Sequence, residues 1–255
     1  MSPSFRTLLD ARHALLVFAT PLEAREALGT ATWADFGALA ALDSCPPWTR
    51  APIAPGIDLV ITGVGKANAA AGVARTLDPA RHALVLSLGI AGALPTPDEP
   101  DLAIGTTVVA EACVFADEGI ATPSSFVSMS RAGFPPRGPN ASRWSEMSYR
   151  VDPAVLEAFT IALGSRESHV VGPIATVSTC SGTDASARET QSRTRARAEA
   201  MEGAAIALVA DTLDIRAAEL RVISNSTGDR DRQVWNIREA LDRLGKVLGL
   251  LFGPA

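Results

Sequence analysis

The chain has 255 residues, of which 47% are hydrophobic and 20% charged, and its formal net charge is −5. That length supports one sizeable core, and the acidic balance argues against a nucleic-acid surface, which carries a basic face. No apolar run approaches the roughly 20 residues of a membrane-spanning helix, so neither a membrane nor a nucleic acid is an expected partner.

The N-terminal stretch MSPSFRTLLDARHALLVFAT lacks the apolar core of a secretory signal, because its longest apolar run, residues 14–19, is too short. Three cysteines (Cys45, Cys113 and Cys180) lie far apart without a Cys-x-x-Cys pair. Disulfide and zinc frameworks are not supported, and a reducing cytoplasm is the expected compartment. His13, His82 and His169 share no spacing that points to a metal or a catalytic triad.

Strands are expected over residues 14–19, 57–62, 83–88, 106–115, 170–177 and 219–224, short β-branched runs that end in turn residues. They are apolar on both faces, which predicts a central sheet covered by helices on each side. Helical patterns are expected over residues 22–28, 67–77, 201–212 and 237–251. Residues 44–56 and 122–149 read as loops, and the polar, Arg-rich residues 181–198 as a helix near a site. No domain boundary or internal repeat is evident, so residues 1–255 are expected to form one domain.

Several segments carry candidate chemistry. ITGVGKANAA, from Ile61, departs from both the P-loop and the dinucleotide fingerprint and reads as a tight strand-to-helix turn. SLGIAGAL, from Ser87, is a second glycine-rich strand end, open to a ligand or to close packing. Glu23 in TPLEAREAL stands one turn past a strand end, as a helix-capping acid or a site carboxylate. Glu202 in AEAMEGAAIA is an acid among Met201, Gly203, Ala204 and Ala205; it faces solvent or is buried for a purpose.

In their order along the chain, ATPLEA, GVGKANAA, SLGIAGAL with IGTTVVAE, AMEGAAIA and RVISN resemble the purine nucleoside phosphorylase and nucleosidase superfamily. Residues 25–56 and 122–168 match it poorly. The tail SNSTGDRDRQVW is similar to the futalosine hydrolase branch, whose members release hypoxanthine from futalosine in an alternative menaquinone pathway. The resemblance implies an α/β fold, a three-layer α/β/α arrangement with a mixed, partly barrel-like central sheet. It implies no metal or organic cofactor, a small nucleoside substrate, and a homo-oligomer, dimer or tetramer.

It also implies roles. Glu23 matches the acid that activates the attacking water. Glu202 matches the acid that holds the ribosyl hydroxyls, with Met201 packing on the sugar. Ala91 and Gly92 lie along the base, Cys180 and Ser181 fall where backbone groups grip the purine, and Asn225 faces N7. An amide offers an acceptor and a donor, which suits O6 and a protonated N7 of a 6-oxopurine better than adenine. Asp229 is an expected helper in protonating N7. Arg230 is an expected partner of the substrate's carboxylate; a loop salt bridge is the competing reading of this tail. Where a phosphate cradle carries arginines, TPLEAR offers only Arg25, two residues past Glu23 and expected to face away, and LVLSLGIAG offers none, so water is the expected nucleophile. The competing functions are a methylthioadenosine/S-adenosylhomocysteine nucleosidase, a purine nucleoside phosphorylase and a non-catalytic purine-nucleoside-binding protein.

Overall fold

The doubly apolar runs become the middle of one large sheet. A computed structural model describes residues 1–29, 31, 33, 34, 46–97, 99–136 and 141–253; Cys45 lies outside them. The elements in chain order are α1 (Pro3–Leu9), β1 (His13–Phe18), α2 (Pro21–Leu28), β2 (Ala51–Ala54), β3 (Ile57–Ile61), α3 (Lys66–Thr76) and β4 (His82–Ala93). Then come β5 (Thr107–Phe115), β6 (Gly119–Ala121), β7 (Phe126–Ser128), β8 (Trp144–Ser145), β9 (Ser148–Arg150) and α4 (Pro153–Leu163). The chain ends with β10 (His169–Thr176), α5 (Asp184–Thr194), β11 (Ala198–Ala200), α6 (Gly203–Thr212), β12 (Arg216–Ser226) and α7 (Ile237–Phe252).

The sheet runs β2-β3-β1-β4-β11-β10-β5-β9-β8, and β12 pairs with both β4 and β5. The strands β4, β11, β10, β5 and β12 therefore close into a ring, the partly barrel-like form that the resemblance implied. Parallel pairs (β1 with β3 and β4, β4 with β12, β5 with β10) mix with antiparallel ones (β11 with β4, β12 with β5). Helices α1, α2, α4 and α7 pack on one another, and α3 and α6 form a separate pair. Helix α7 buries Ala240, Leu241, Leu244, Val247, Leu248 and Leu251, one stripe at helical spacing. Among the described residues no helix is long and apolar enough to cross a membrane.

Three expectations need correction. Residues 122–149 are not one long loop, because β7 pairs with β6 and β8 with β9 in short hairpins. Residues 51–54 form an edge strand against β3. The helix expected over residues 181–198 spans Asp184–Thr194, and residues 198–200 form a strand between β4 and β10.

At the N-terminal ends of β1, β3 and β4, the fully buried Asp58 accepts bonds from Arg81 Nη2 at 2.9 Å, Arg81 Nε at 2.5 Å and His82 Nε2 at 3.0 Å. His82 Nδ1 accepts the Asp78 N–H at 3.0 Å, which fixes the neutral tautomer that donates to Asp58. Burial alone would raise the Asp58 pKa; the bonds from Arg81 and His82, with the Arg81 charge, outweigh it and hold the carboxyl below its ordinary 3.8. A depressed folded pKa contributes stability that is complete above the unfolded value and is lost as the pH falls through the folded one. Asp58→Asn is expected to cost about 1.5–3 kcal/mol near neutral pH, with the deficit shrinking as the pH falls below the ordinary 3.8, as measured by urea unfolding.

Candidate active site

Two side-chain clusters form along the C-terminal half of β4. The first centres on Arg221 of β12, a guanidinium with 1% exposure. Its Nε donates to Glu219 Oε1 at 2.8 Å, and its Nη2 donates to Ser87 Oγ at 2.8 Å and to Glu202 Oε2 at 3.2 Å. Glu202 ends β11's extension into α6, and its other oxygen accepts the Gly65 N–H at 3.0 Å. The glycine turn that resembled a phosphate loop is thus a clasp on a carboxylate.

Glu23 approaches the same guanidinium from α2. Thr20 caps this helix, and Glu23 Oε2 accepts from Thr20 N and Oγ1, both at 3.1 Å. Its Oε1 accepts the Ile90 N–H at 3.4 Å. A Cβ placed on Gly89 would lie 2.6 Å from Arg221 Nη1 and 2.7 Å from Glu23 Oε1. Glu23 and Arg221 therefore converge on a spot on β4 where only glycine fits. The capping acid is also the acid beside the buried cation.

Three buried carboxylates (Glu23, Glu202 and Glu219) surround this one cation. Burial raises the Glu23 pKa, Arg221 opposes the rise, and Glu202 adds to it. Burial likewise raises Glu219, against the pull of Arg221. Burial would lower the Arg221 pKa, but Glu219, Glu202 and Glu23 outweigh it and keep the guanidinium charged.

The second cluster is a cleft of about 380 Å³ lined by Gly92, Cys180, Ser181, Glu199, Asn225 and Arg230, with Trp235 and Gln233 among its walls. A bulge in β12 between Ile223 and Asn225 sets Asn225 directly beside Gly92. Asn225 Oδ1 accepts from Ser224 Oγ at 2.9 Å, and its Nδ2 donates to the Ser226 carbonyl at 2.8 Å. Arg230 lies over the Trp235 ring, 4.9 Å from its centroid. Desolvation, with Glu199 and Glu202 nearby, pushes the Cys180 thiol up to about 11, which disfavours the thiolate.

The sequence profile of the phosphorylase superfamily matches residues 56–252. A futalosine hydrolase of Acidothermus cellulolyticus is 35% identical over 76% of this chain and 74% of its own length. One from Streptomyces coelicolor is 35% identical over 82% of this chain and 83% of its own. The chain belongs to the futalosine hydrolase family of the phosphorylase superfamily. A solved structure of the futalosine hydrolase of Helicobacter pylori shares the fold, with a TM-score of 0.71 at 18% identity, covering 95% of this chain and 97% of that one.

The residues that the sequence marked for a futalosine hydrolase fall into three groups. Glu23 and Glu202 meet at Arg221. Gly92, Cys180, Ser181, Asn225 and Arg230 share the cleft, while Ala91 is buried in β4 with its carbonyl oxygen 3.2 Å from Ser224 Oγ. Met201 faces a neighbouring hollow with Gly65, Lys66, Phe115 and Leu208. Asp229, the expected proton helper, has its polar partners on the start of α5 and on Arg232. Its carboxylate accepts the Asp184 N–H at 2.9 Å and binds Arg232 at 2.5 Å, while Asp184 accepts its N–H at 3.0 Å. It clamps the start of α5 and lines none of the cleft.

Two aromatic side chains of residues 122–149 have partners outside the cleft. Trp144 stacks on Phe115 and donates to Asp211, and Phe126 lies under the Arg193 guanidinium. Arg221, Glu219, Gly89 and Glu199 are the site residues that sequence reasoning passed over. The pair at 219 and 221 carries a readable signal: opposite charges at i and i+2 of an apolar strand share one face.

Proposed function

We propose that this chain hydrolyses the N-glycosidic bond of futalosine, releasing hypoxanthine and dehypoxanthine futalosine for the alternative menaquinone pathway, in the cytoplasm. The observation that carries this reading is β4 itself. At Gly89 it presents a carboxylate and a guanidinium to one point, and three residues later, at Gly92, it presents the Asn225 amide in a cleft.

Glu23 takes the proton of the attacking water, and its raised pKa makes it a stronger base than an exposed glutamate. Arg221 Nη1 holds the oxygen of that water. Glu202, clasped by Gly65 and Arg221, grips the ribosyl hydroxyls and adds negative charge beside the developing oxocarbenium, with Met201 against the sugar. Arg221 is committed to Glu219, Glu202 and Ser87, and the cluster is net negative, which disfavours a phosphate nucleophile. Water is the nucleophile, and the side chains named supply the chemistry.

Asn225 faces O6 and N7 of the departing base. Its bonds to Ser224 and Ser226 use one of the two carbonyl lone pairs and one of the two amide hydrogens. The rest match a 6-oxopurine protonated at N7. Asn225→Asp is expected to move the kcat/KM ratio toward the 6-amino analogue by about tenfold or more, as the donor–donor mismatch of roughly 1–3 kcal/mol is relieved. An unchanged ratio would remove Asn225 from base selection.

The reading includes a homo-oligomer, dimer or tetramer, as the family resemblance implies. The test of the activity is base release followed by chromatography, with futalosine, its 6-amino analogue, inosine and methylthioadenosine, each with and without phosphate. Hypoxanthine from futalosine at a rate independent of phosphate is expected. Adenine release as the main reaction, or dependence on phosphate, would overturn it.

A further inference from the structure

Glu199 has no part in the roles described so far, and its surroundings are unusual. It is the middle residue of β11 and is 4% exposed. Ser181 N donates to Oε1 at 2.7 Å, and Ser181 Oγ donates to Oε2 at 2.7 Å. Among the described residues no cation pairs with it. A buried carboxylate without a counter-charge is costly and is retained in natural sites for what it does there. Burial raises the Glu199 pKa, the two bonds from Ser181 oppose that rise by favouring the ionised form, and each oxygen keeps a further lone pair.

The sheet register says what that carboxylate faces. Glu199 is the direct partner of Gly92, and Gly92 is the direct partner of Asn225. Directly paired residues project to the same face, and two strand spacings put the outer two about 10 Å apart. The middle member has no side chain. A Cβ on Gly92 would lie 3.2 Å from Asn225 Nδ2, so the amide leans over the bare glycine. All three residues line the one cleft. It is a slot with a glycine floor, an amide on one wall and a carboxylate on the other.

A 6-oxopurine fits that slot in one sense. Its edge presents N7, then the O6 acceptor, then the N1–H donor. With Asn225 on N7 and O6, the N1–H points to the opposite wall. A 6-aminopurine has a lone pair at N1, which a carboxylate repels. We propose that Glu199 accepts a hydrogen bond from N1–H of a 6-oxopurine and, with Asn225, determines which base the enzyme takes. This rests on the reading above that the cleft receives the leaving base.

The test is equilibrium binding of hypoxanthine, 1-methylhypoxanthine and adenine to the full-length protein and to its Glu199→Gln and Glu199→Ala variants, with futalosine hydrolysis followed in parallel. The wild type is expected to prefer hypoxanthine to both other bases. In Glu199→Gln, Ser181 N still finds an oxygen, and the amide NH2 turns to Ser181 Oγ and the slot. Hypoxanthine affinity is expected to fall about 10- to 100-fold while adenine gains. In Glu199→Ala the space opens, and 1-methylhypoxanthine is expected to bind better than to the wild type.

A merely structural role would weaken the three bases alike and leave their ratios in place. Ratios unchanged in both variants, with native circular dichroism and futalosine still cleaved, overturn the proposal and leave the function standing. Glu199-dependent binding of hypoxanthine by a protein that leaves futalosine intact supports the proposal and overturns the function. Failure of the wild type to bind any of the bases overturns the proposal.

Discussion

Glu23→Gln is expected to lower kcat by about 10²–10⁴-fold, the usual contribution of a positioned general base, with substrate affinity nearly kept. Glutamine keeps an oxygen for Thr20, so the start of α2 survives and the loss is chemical. The pH dependence gives a second check. Burial raises the Glu23 pKa above its ordinary 4.5, and Arg221 offsets only part of the rise. The base works as the carboxylate. The kcat/KM of the native enzyme therefore falls as the pH drops through a value above 4.5. The residual activity of Glu23→Gln is expected to lack that limb. Near-normal turnover in the variant would remove Glu23 from the role of base.

Arg221→Met is the substitution with the largest expected effect on the folded protein. It leaves Glu219 and Glu202 buried without their cation, and removing one partner of a buried ion pair costs about 3–5 kcal/mol. Urea unfolding measures that loss, and hydrolysis is expected to be undetectable. The double variant Arg221→Met with Glu219→Gln separates the two effects. Neutralising Glu219 is expected to return part of the stability and none of the activity. A single variant within about 1 kcal/mol of the native protein would show that the carboxylates are held neutral by other means.

The parts of this molecule that were legible in the sequence are those in which one residue type has one physical meaning. Runs such as ALLVFA and HALVLSLG are apolar on both faces because they lie between layers, and each became a strand. The stripe from Ala240 to Leu251 became the buried face of α7. Short pieces were not legible. Strands β8, β9 and β11 hold two or three residues, too few for a period, and β11 is recognisable only because neighbouring strands enclose it. Glu202 stood out among small residues, whereas Glu199, three positions earlier, gained its meaning from Gly92 and Asn225 across two strands. Arg221 read as one more residue of RVISN until the ring of β-strands buried it against three carboxylates. Adjacency in sequence suggested a place for Asp229 by the cleft, and its reciprocal bonds are with Asp184.

Strand β4 has a consequence for how such an enzyme changes over generations. Gly89 and Gly92 are three residues apart on one fully embedded strand, so about 10 Å of rigid backbone separates the hydrolytic end of the site from the end that discriminates bases. On the roles proposed above, the discriminating side chains stand on β11 and β12, not on β4. Exchanges at positions 199 and 225 thus reach the leaving base and spare Glu23 and the spot above Gly89. A lineage that keeps this strand inherits its bond-breaking step intact and is free to diverge in what it releases.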